Sequence, residues 1–427
     1  MNNTIGNQIY QLIEKLFPIC RSITGNGVRE TLNILQSYID LKIHEIPSGK
    51  KIFDWIIPNE WNINDAYIID GKGKKIIDFK KNNLHVMGYS EPFEGKVNLS
   101  ELNKHLYSLP DQPDLIPYVT SYYNRDWGFC LSDNQRKNLL EDVYTVKIDS
   151  SLKHGSLTYA DLIIKGQSKK EIIFSTYICH PSLANNELSG PAVTTFLAKY
   201  YLEHLNNYYT YRFIYVPETI GSLTYISNNL NELKNNVYAG YVITCIGDNG
   251  PFSYLQTRRE NTIVDRVTMH VLKNTEKEYR LYNYLSRGSD ERQYGSPGID
   301  LPVGSLMRTK YGEYPEYHTS ADNLNILTPF DLEKSLTKLK LCVEVLEKNK
   351  VYKTTVLGEP QLGKRGLYPN ISMKNSSLNT KTIRNLLAYC DGENDLLWVA
   401  EKIGKPIISL FPMVDRLLKH NLLEKMD

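Results

Sequence analysis

The chain has 427 residues, 41% of them hydrophobic and 23% charged, and its 50 Lys and Arg against 48 Asp and Glu leave a net charge of +2. That composition excludes disorder and leaves room for one large core with smaller units attached, while the near-neutral balance excludes a global field steering the chain to nucleic acid or an anionic membrane. The start, MNNTIGNQIYQLIEKLF, has no basic flank ahead of an apolar core, and no long uninterrupted apolar run occurs anywhere, so a soluble cytoplasmic protein is expected.

Two helices open the chain, with stripes Ile9, Leu12, Ile13, Leu16 and Val28, Leu32, Leu35, Ile39. The link between them, PICRSITGNG, is rich in turn formers; Gly25 and Gly27 suit positive φ, and Arg21 and Ser22 either face a pocket or brace the turn. From Lys42 to Leu115 the runs LKIHEI, AYIID, KKIIDF, LHVMGY and GKVNL are short and strand-like, and YIIDGKGKKIIDF reads as a hairpin, so residues 42–117 are expected to form an inserted β-rich small domain. YVTSYYNRDWGFC, from Tyr118 to Cys130, then returns the chain to the main domain, expected to comprise residues 1–41 and 118–355.

The segment EIIFSTYICHPSLANNELSGPAVTTFLAKY reads as a buried strand, a polar loop and a helix. His180 falls at the carboxyl end of that strand, where open α/β sheets bind ligands, and Asn185, Asn186, Glu187 and Ser189 follow before the helix begins. The same residues also suit a hydrogen-bonded loop histidine and a helix cap. Further on, YRFIYVP is a strand ending at Glu218 and YAGYVITCIGDNG one ending at Thr244, Cys245 and Asp248, so acidic residues collect at strand ends in an alternating α/β pattern. RGSDERQYGSPGIDLPVGSLMR, with Asp290 and Arg292, reads as a substrate loop leading into an edge strand. YGEYPEYHTSADN surrounds His318 with Glu313, Tyr314, Glu316, Tyr317 and Asp322, more hydrogen-bonding side chains than a surface loop needs. Six scattered cysteines without a CxxC pair read as reduced core residues, Cys179 included.

Residues 366–427 give short helical patterns broken by DGEND and GKP, as in a winged helix-turn-helix. Ile407, Ile408, Leu410, Phe411, Met413, Leu417 and Leu418 dominate its later helices, which favours a packing or dimerising role, a possible route to a homo-oligomer, over DNA readout.

CHPSLANNELSGP, VPETIGS, GSDERQY and GEYPEYHTSADN, in that order, resemble the M28-type zinc aminopeptidases and more closely the bacterial aminopeptidase-like proteins of the DUF4910/DUF2172 group. The resemblance covers nearly the whole chain and implies an α/β, M28-like sandwich with a mixed central sheet, an inserted small domain and a C-terminal winged helix. It implies that His180 and His318 match the family's metal-ligating histidines and Glu218 its general base. Asn186, Thr219 and Thr244 stand where carboxylate ligands are expected, which argues against a full dinuclear site. The resemblance thus implies one zinc ion held by His180 and His318, with Asn186, Glu187 or Asp290 completing the site. Arg292, Glu313 and Tyr317 are candidates for substrate binding. The implied activity is hydrolysis of a small peptide or aminoacyl substrate, linked to surface-polysaccharide biosynthesis. The alternatives are a non-catalytic binding protein on the same scaffold and a DNA-binding regulator acting through the winged helix.

Overall fold

The computed structural model describes residues 4–367 and 374–426, so the first part of the polar stretch that follows Leu367 lies outside the described residues. Two compact units emerge: Met1–Val264 with Glu278–Lys338, and Asp265–Lys277 with Leu339–Asp427.

The first unit is built on an eight-stranded mixed sheet in the order Lys42–Pro47, Ser156–Ile164, Thr210–Val216, Glu171–Tyr177, Val237–Ile243, Val303–Met307, Phe252–Leu255, Tyr279–Tyr282. Glu171–Tyr177 lies at its centre, parallel to Thr210–Val216 on one side and Val237–Ile243 on the other. All seven of its residues are buried. Its buried positions include Glu171, Ser175 and Thr176 as well as Ile172, Ile173, Phe174 and Tyr177, so the strand shows no inward–outward alternation. Because the next strand in the chain pairs on one side and the one after on the other, the strand order reverses at Glu171–Tyr177. A crevice therefore opens beyond its carboxyl end.

A second sheet of four antiparallel strands runs Lys75–Asp78, Glu60–Ile69, Val143–Lys153, Phe93–Asn98. Tyr144, Val146 and Ile148 alternate inward along it and share one core with Trp61, Ile68, Ile173, Ile214 and Val216, so both sheets close over the same apolar mass. Each fully buried aliphatic or aromatic side chain of this kind contributes roughly 1.5–3 kcal/mol.

Sheet membership departs from the boundaries 42 and 117. Lys42–Pro47 pairs with Ser156–Ile164 on the edge of the large sheet, and Val143–Lys153 lies far beyond 117 yet occupies the middle of the small one. Val303–Met307 is an interior strand, paired on both sides, and not an edge. LHVMGY forms a short 3-10 turn over Asn83–His85 and isolated bridges instead of a strand, because Asn82 caps the turn by accepting from Leu84 N. Gly25 does take a positive φ of 98°, whereas Gly27 is required by close approach: a Cβ there would lie 2.0 Å from the Cys20 carbonyl oxygen.

The second unit joins helices Lys374–Tyr389, Leu396–Lys402 and Ile407–Lys419 to a three-stranded sheet of Asp391–Asp395, Val351–Thr354 and Leu423–Lys425. Ile407, Leu410, Phe411, Val414 and Leu417 form the buried stripe of its last helix. Asp395 caps Leu396–Lys402 by accepting from Trp398 N, and both of its oxygens pair with Arg266 at 2.8 and 2.9 Å. Among the described residues no helix is long and apolar enough to cross a membrane.

Candidate active site

Beyond the central strand, Ile178, Cys179 and His180 run into the crevice, and the chain turns through Ala184–Leu188 into the helix Ser189–Glu203. Asp322 organises that turn: its carboxylate accepts from Asn185 N at 2.6 Å and Asn186 N at 3.0 Å, and from Tyr314 Oη at 3.0 Å. Burial pushes the Asp322 carboxyl up to about 6 despite these donors.

His180 sits between two carboxylates. Its Nδ1 lies 2.7 Å from Glu187 Oε2 and its Nε2 3.7 Å from Glu218 Oε2. Arg21, itself buried, donates from Nε to the His180 carbonyl at 3.0 Å and lies 3.9 Å from Glu187 Oε1. Burial opposes a charged imidazole here, yet Cys179 and the Glu187 carboxylate together push His180 well above its ordinary range. Burial pushes the Cys179 thiol up to about 11, so at neutral pH it is protonated and Glu187 is the effective partner.

His318 approaches from the other side, its ring 5.4 Å from that of His180, with Tyr118 edge-on to both at 5.1 Å and Tyr317 stacked on it at 3.9 Å. Its Nε2 is buried with no hydrogen-bond partner, and burial together with His180 lowers it to about 3, so the imidazole is neutral.

Glu218 follows the strand Thr210–Val216 and accepts from Ser289 Oγ at 2.7 Å. Burial raises its carboxyl above the usual range. Thr219, at φ 64°, donates its backbone N–H to Asp290 Oδ1 at 2.8 Å and accepts from Arg292 Nη2 at 2.7 Å. Asp290 also accepts from Ser222 Oγ; burial and the nearby Glu218 push it up to about 8.

The structure therefore brings His180, Glu218 and His318 together, with Tyr317 against His318 and Arg292 beside Glu218. Glu187 lies on the Nδ1 side of His180, away from Nε2. Asn186 Oδ1 accepts from Tyr177 Oη at 3.1 Å, and its Nδ2 is unpaired. Asp290 stands behind Thr219. Glu313 is instead partnered by Tyr282 Oη, Arg280 and Lys310. Tyr118 and Ser289 escaped the sequence reading as parts of the site, whereas Asp322 stood in it among the side chains around His318; only the aromatic density of YVTSYYNRDWGFC signalled Tyr118.

Two features set the cluster apart. Of nine buried side-chain atoms without a hydrogen bond among the described residues, five are here: Arg21 Nη2, Asn186 Nδ2, Glu187 Oε1, Asp290 Oδ2 and His318 Nε2. Unsatisfied buried polar atoms are rare elsewhere because each costs about 1–3 kcal/mol. Non-glycine residues at positive φ also gather here, at Tyr122, Ser182, Thr219, Cys245 and His318.

Comparison with known proteins bears on the family and the fold. Residues 10–349 match the family described as a domain of unknown function, DUF4910, and residues 350–425 match a winged helix-turn-helix. A Clostridium acetobutylicum protein named for polysaccharide biosynthesis and an aminopeptidase-like domain is 47% identical over 98% of this chain and 96% of its own length. A crystal structure from the same organism, named for a peptidase, superposes with a TM-score of 0.93 at 46% identity over 99% of this chain and 96% of its own. The zinc aminopeptidase of Bacillus subtilis shares the fold, with a TM-score of 0.59 at 13% identity over 80% of this chain and 94% of its own. A peptidase M28 precursor from Shewanella amazonensis does so at 0.57 and 13%, over 80% and 95%. The chain thus belongs to the DUF4910 family, an aminopeptidase-like α/β domain of M28 fold followed by a winged helix-turn-helix.

Proposed function

We propose that the protein is a zinc-dependent hydrolase acting on a small peptide or aminoacyl substrate, with one metal ion per chain. The observation that carries this reading is the buried, neutral, unpartnered Nε2 of His318 facing the same crevice as His180 and Glu218. The donor chemistry fits a single zinc ion: imidazole nitrogens are among its preferred ligands, and His180 and His318 would hold it by Nε2. It does not fit a second ion, because Asn186, Thr219 and Thr244 are neutral and Thr244 Oγ1 already donates to the Asn186 carbonyl. When bound, zinc would supply Lewis-acid polarisation of the substrate carbonyl and make a water more acidic.

The remaining work falls to the chain. Glu187 fixes the orientation of the His180 ring through Nδ1, as an outer partner of a metal-ligating histidine does. Glu218, raised by burial and oriented by Ser289, accepts the proton of the attacking water and can return it to the leaving amine. Arg292, next to Glu218, offers a cation for a substrate carboxylate, and Tyr317 a hydroxyl for the developing oxyanion.

A binding protein on the same scaffold is the competing reading, favoured by those three neutral residues where M28 enzymes carry anionic ligands. Elemental analysis of protein purified without chelator separates the two: about one zinc per chain is expected, lost in His180→Ala/His318→Ala. On aminoacyl, dipeptide and aminoacylated-sugar substrates, Glu218→Gln should keep the metal and lose roughly a hundredfold or more in rate. Turnover that survives this substitution removes Glu218 from the mechanism, and absence of zinc from repeated preparations favours the binding protein.

A further inference from the structure

On the first unit, a cleft of about 510 Å³ opens at the amino end of the strand Val237–Ile243. The strand is seven residues long. At ~3.3 Å per residue the cleft lies about 20 Å from the crevice that holds His180, so nothing in it can take part in chemistry there. Its polar walls come from Lys234, Thr257, Arg258, Arg259, Thr262 and Asp300.

Three cations against one carboxylate leave the lining with a surplus of two positive charges. Asp300 receives both arginines side by side, Arg258 through Nε at 3.0 Å and Nη2 at 2.8 Å, Arg259 through Nε at 3.0 Å and Nη2. Each guanidinium thus spends one edge on the same carboxylate and keeps its Nη1 group, which has no hydrogen-bond partner among the described residues. The Arg258 and Arg259 side chains are 40% and 67% exposed, respectively. Asp300 is held at φ 53°, a left-handed conformation that persists in a non-glycine residue only where the surroundings over-determine it. The Lys234 ammonium is anchored on the Gly298 carbonyl at 2.8 Å across the same turn. A simple surface ion pair needs one arginine; fixing two forks with one strained carboxylate pre-orients donors for something else. Planar forks with spare N–H groups match the oxygens of a phosphate, and a doubly negative group balances the surplus.

We propose that this cleft is a second ligand site, which binds a phosphorylated small molecule, a phosphate monoester or a diphosphate, through the free edges of Arg258 and Arg259 and the Lys234 ammonium. The site is independent of the hydrolytic reading. Calorimetric titration of the full chain with inorganic phosphate, pyrophosphate, a hexose phosphate and a nucleoside diphosphate tests it. At least one should bind one-to-one with a Kd tighter than about 1 mM. Arg258→Gln/Arg259→Gln should weaken that binding roughly tenfold or more, and Lys234→Gln by a few-fold. Preference for the hexose phosphate or the nucleotide over the inorganic ions identifies the source of the phosphate and supports the site. Because the double variant removes both partners of Asp300, Arg259→Gln alone, with its melting temperature unchanged, serves as the second variant. No binding by wild type, or undiminished binding by both folded arginine variants, overturns the proposal.

Discussion

Asp290 is the residue whose titration reaches furthest beyond its own contacts. Fully buried beside Glu218, it is pushed up to about 8, against about 3.9 for an aspartate in an unfolded chain. Between those values the folded protein binds a proton that the unfolded chain has released, so the stability linked to this group is fully present at low pH and lost as pH rises through about 8. Asp290→Asn cannot ionise and keeps the carbonyl that accepts from Thr219 and Ser222. Urea unfolding from about pH 5 to about pH 9 should show wild type losing ground to the variant, by up to about 1.4 kcal/mol per pH unit; parallel curves would refute the shift. Arg21 carries the opposite risk. It is the cation facing Glu187 inside the core, and Arg21→Leu would strand that carboxylate at a cost of about 3–5 kcal/mol, visible as a sharp fall in melting temperature. His180, Glu218 and His318 were legible in the sequence because each ends or follows a distinctive run. Arg21 was legible only as a turn residue with two open roles. Its partner Glu187 lies far along the chain, and no local pattern encodes a contact across that separation.

At the level of elements, the crevice depends on how closely the helix Ser189–Glu203 begins against the sheet. Gly190 makes this possible: a Cβ there would stand 2.4 Å from the Ile243 carbonyl oxygen and 2.6 Å from Thr176 Oγ1. The first is backbone at the end of a central strand and cannot yield cheaply. Gly190→Ala should therefore cost about 1–3 kcal/mol and lower zinc content by moving the turn that carries Asn186 and Glu187, measured by thermal unfolding and elemental analysis together. A variant with native stability and metal would mean that the helix start tolerates displacement. The strand, loop and helix around His180 were readable because the polar run SLANNELSG separates a short strand-forming run from a longer stretch of helix length. The position of Val303–Met307 inside the sheet was not: VGSLM, between Pro302 and Arg308, looks the same in sequence whether one edge or both are paired. Likewise the extended run 143–153 carries no sign that it returns to the sheet begun at Glu60.

For the molecule as a whole, the winged helix-turn-helix poses the sharpest question, since the motif often reads DNA while the chain has a net charge of only +2. Its last helix exposes Ser409, Pro412, Asp415, Arg416 and Lys419, two bases against one acid. Arg416 is engaged as well, donating from Nη2 to the Gly366 carbonyl at 2.9 Å. A module that neutralises several phosphates gains most of its non-specific affinity from them, and that affinity falls steeply with salt. The two exposed cations of this helix, one of them already engaged, cannot supply it by themselves. Fluorescence anisotropy of a labelled random duplex should accordingly show no saturable binding of the full chain at about 0.15 M salt, and only a weak, salt-labile rise at low ionic strength. Binding in the micromolar range or tighter at physiological salt, weakened by Arg416→Ala/Lys419→Ala, would make this helix a nucleic-acid reader after all and return the regulator to contention.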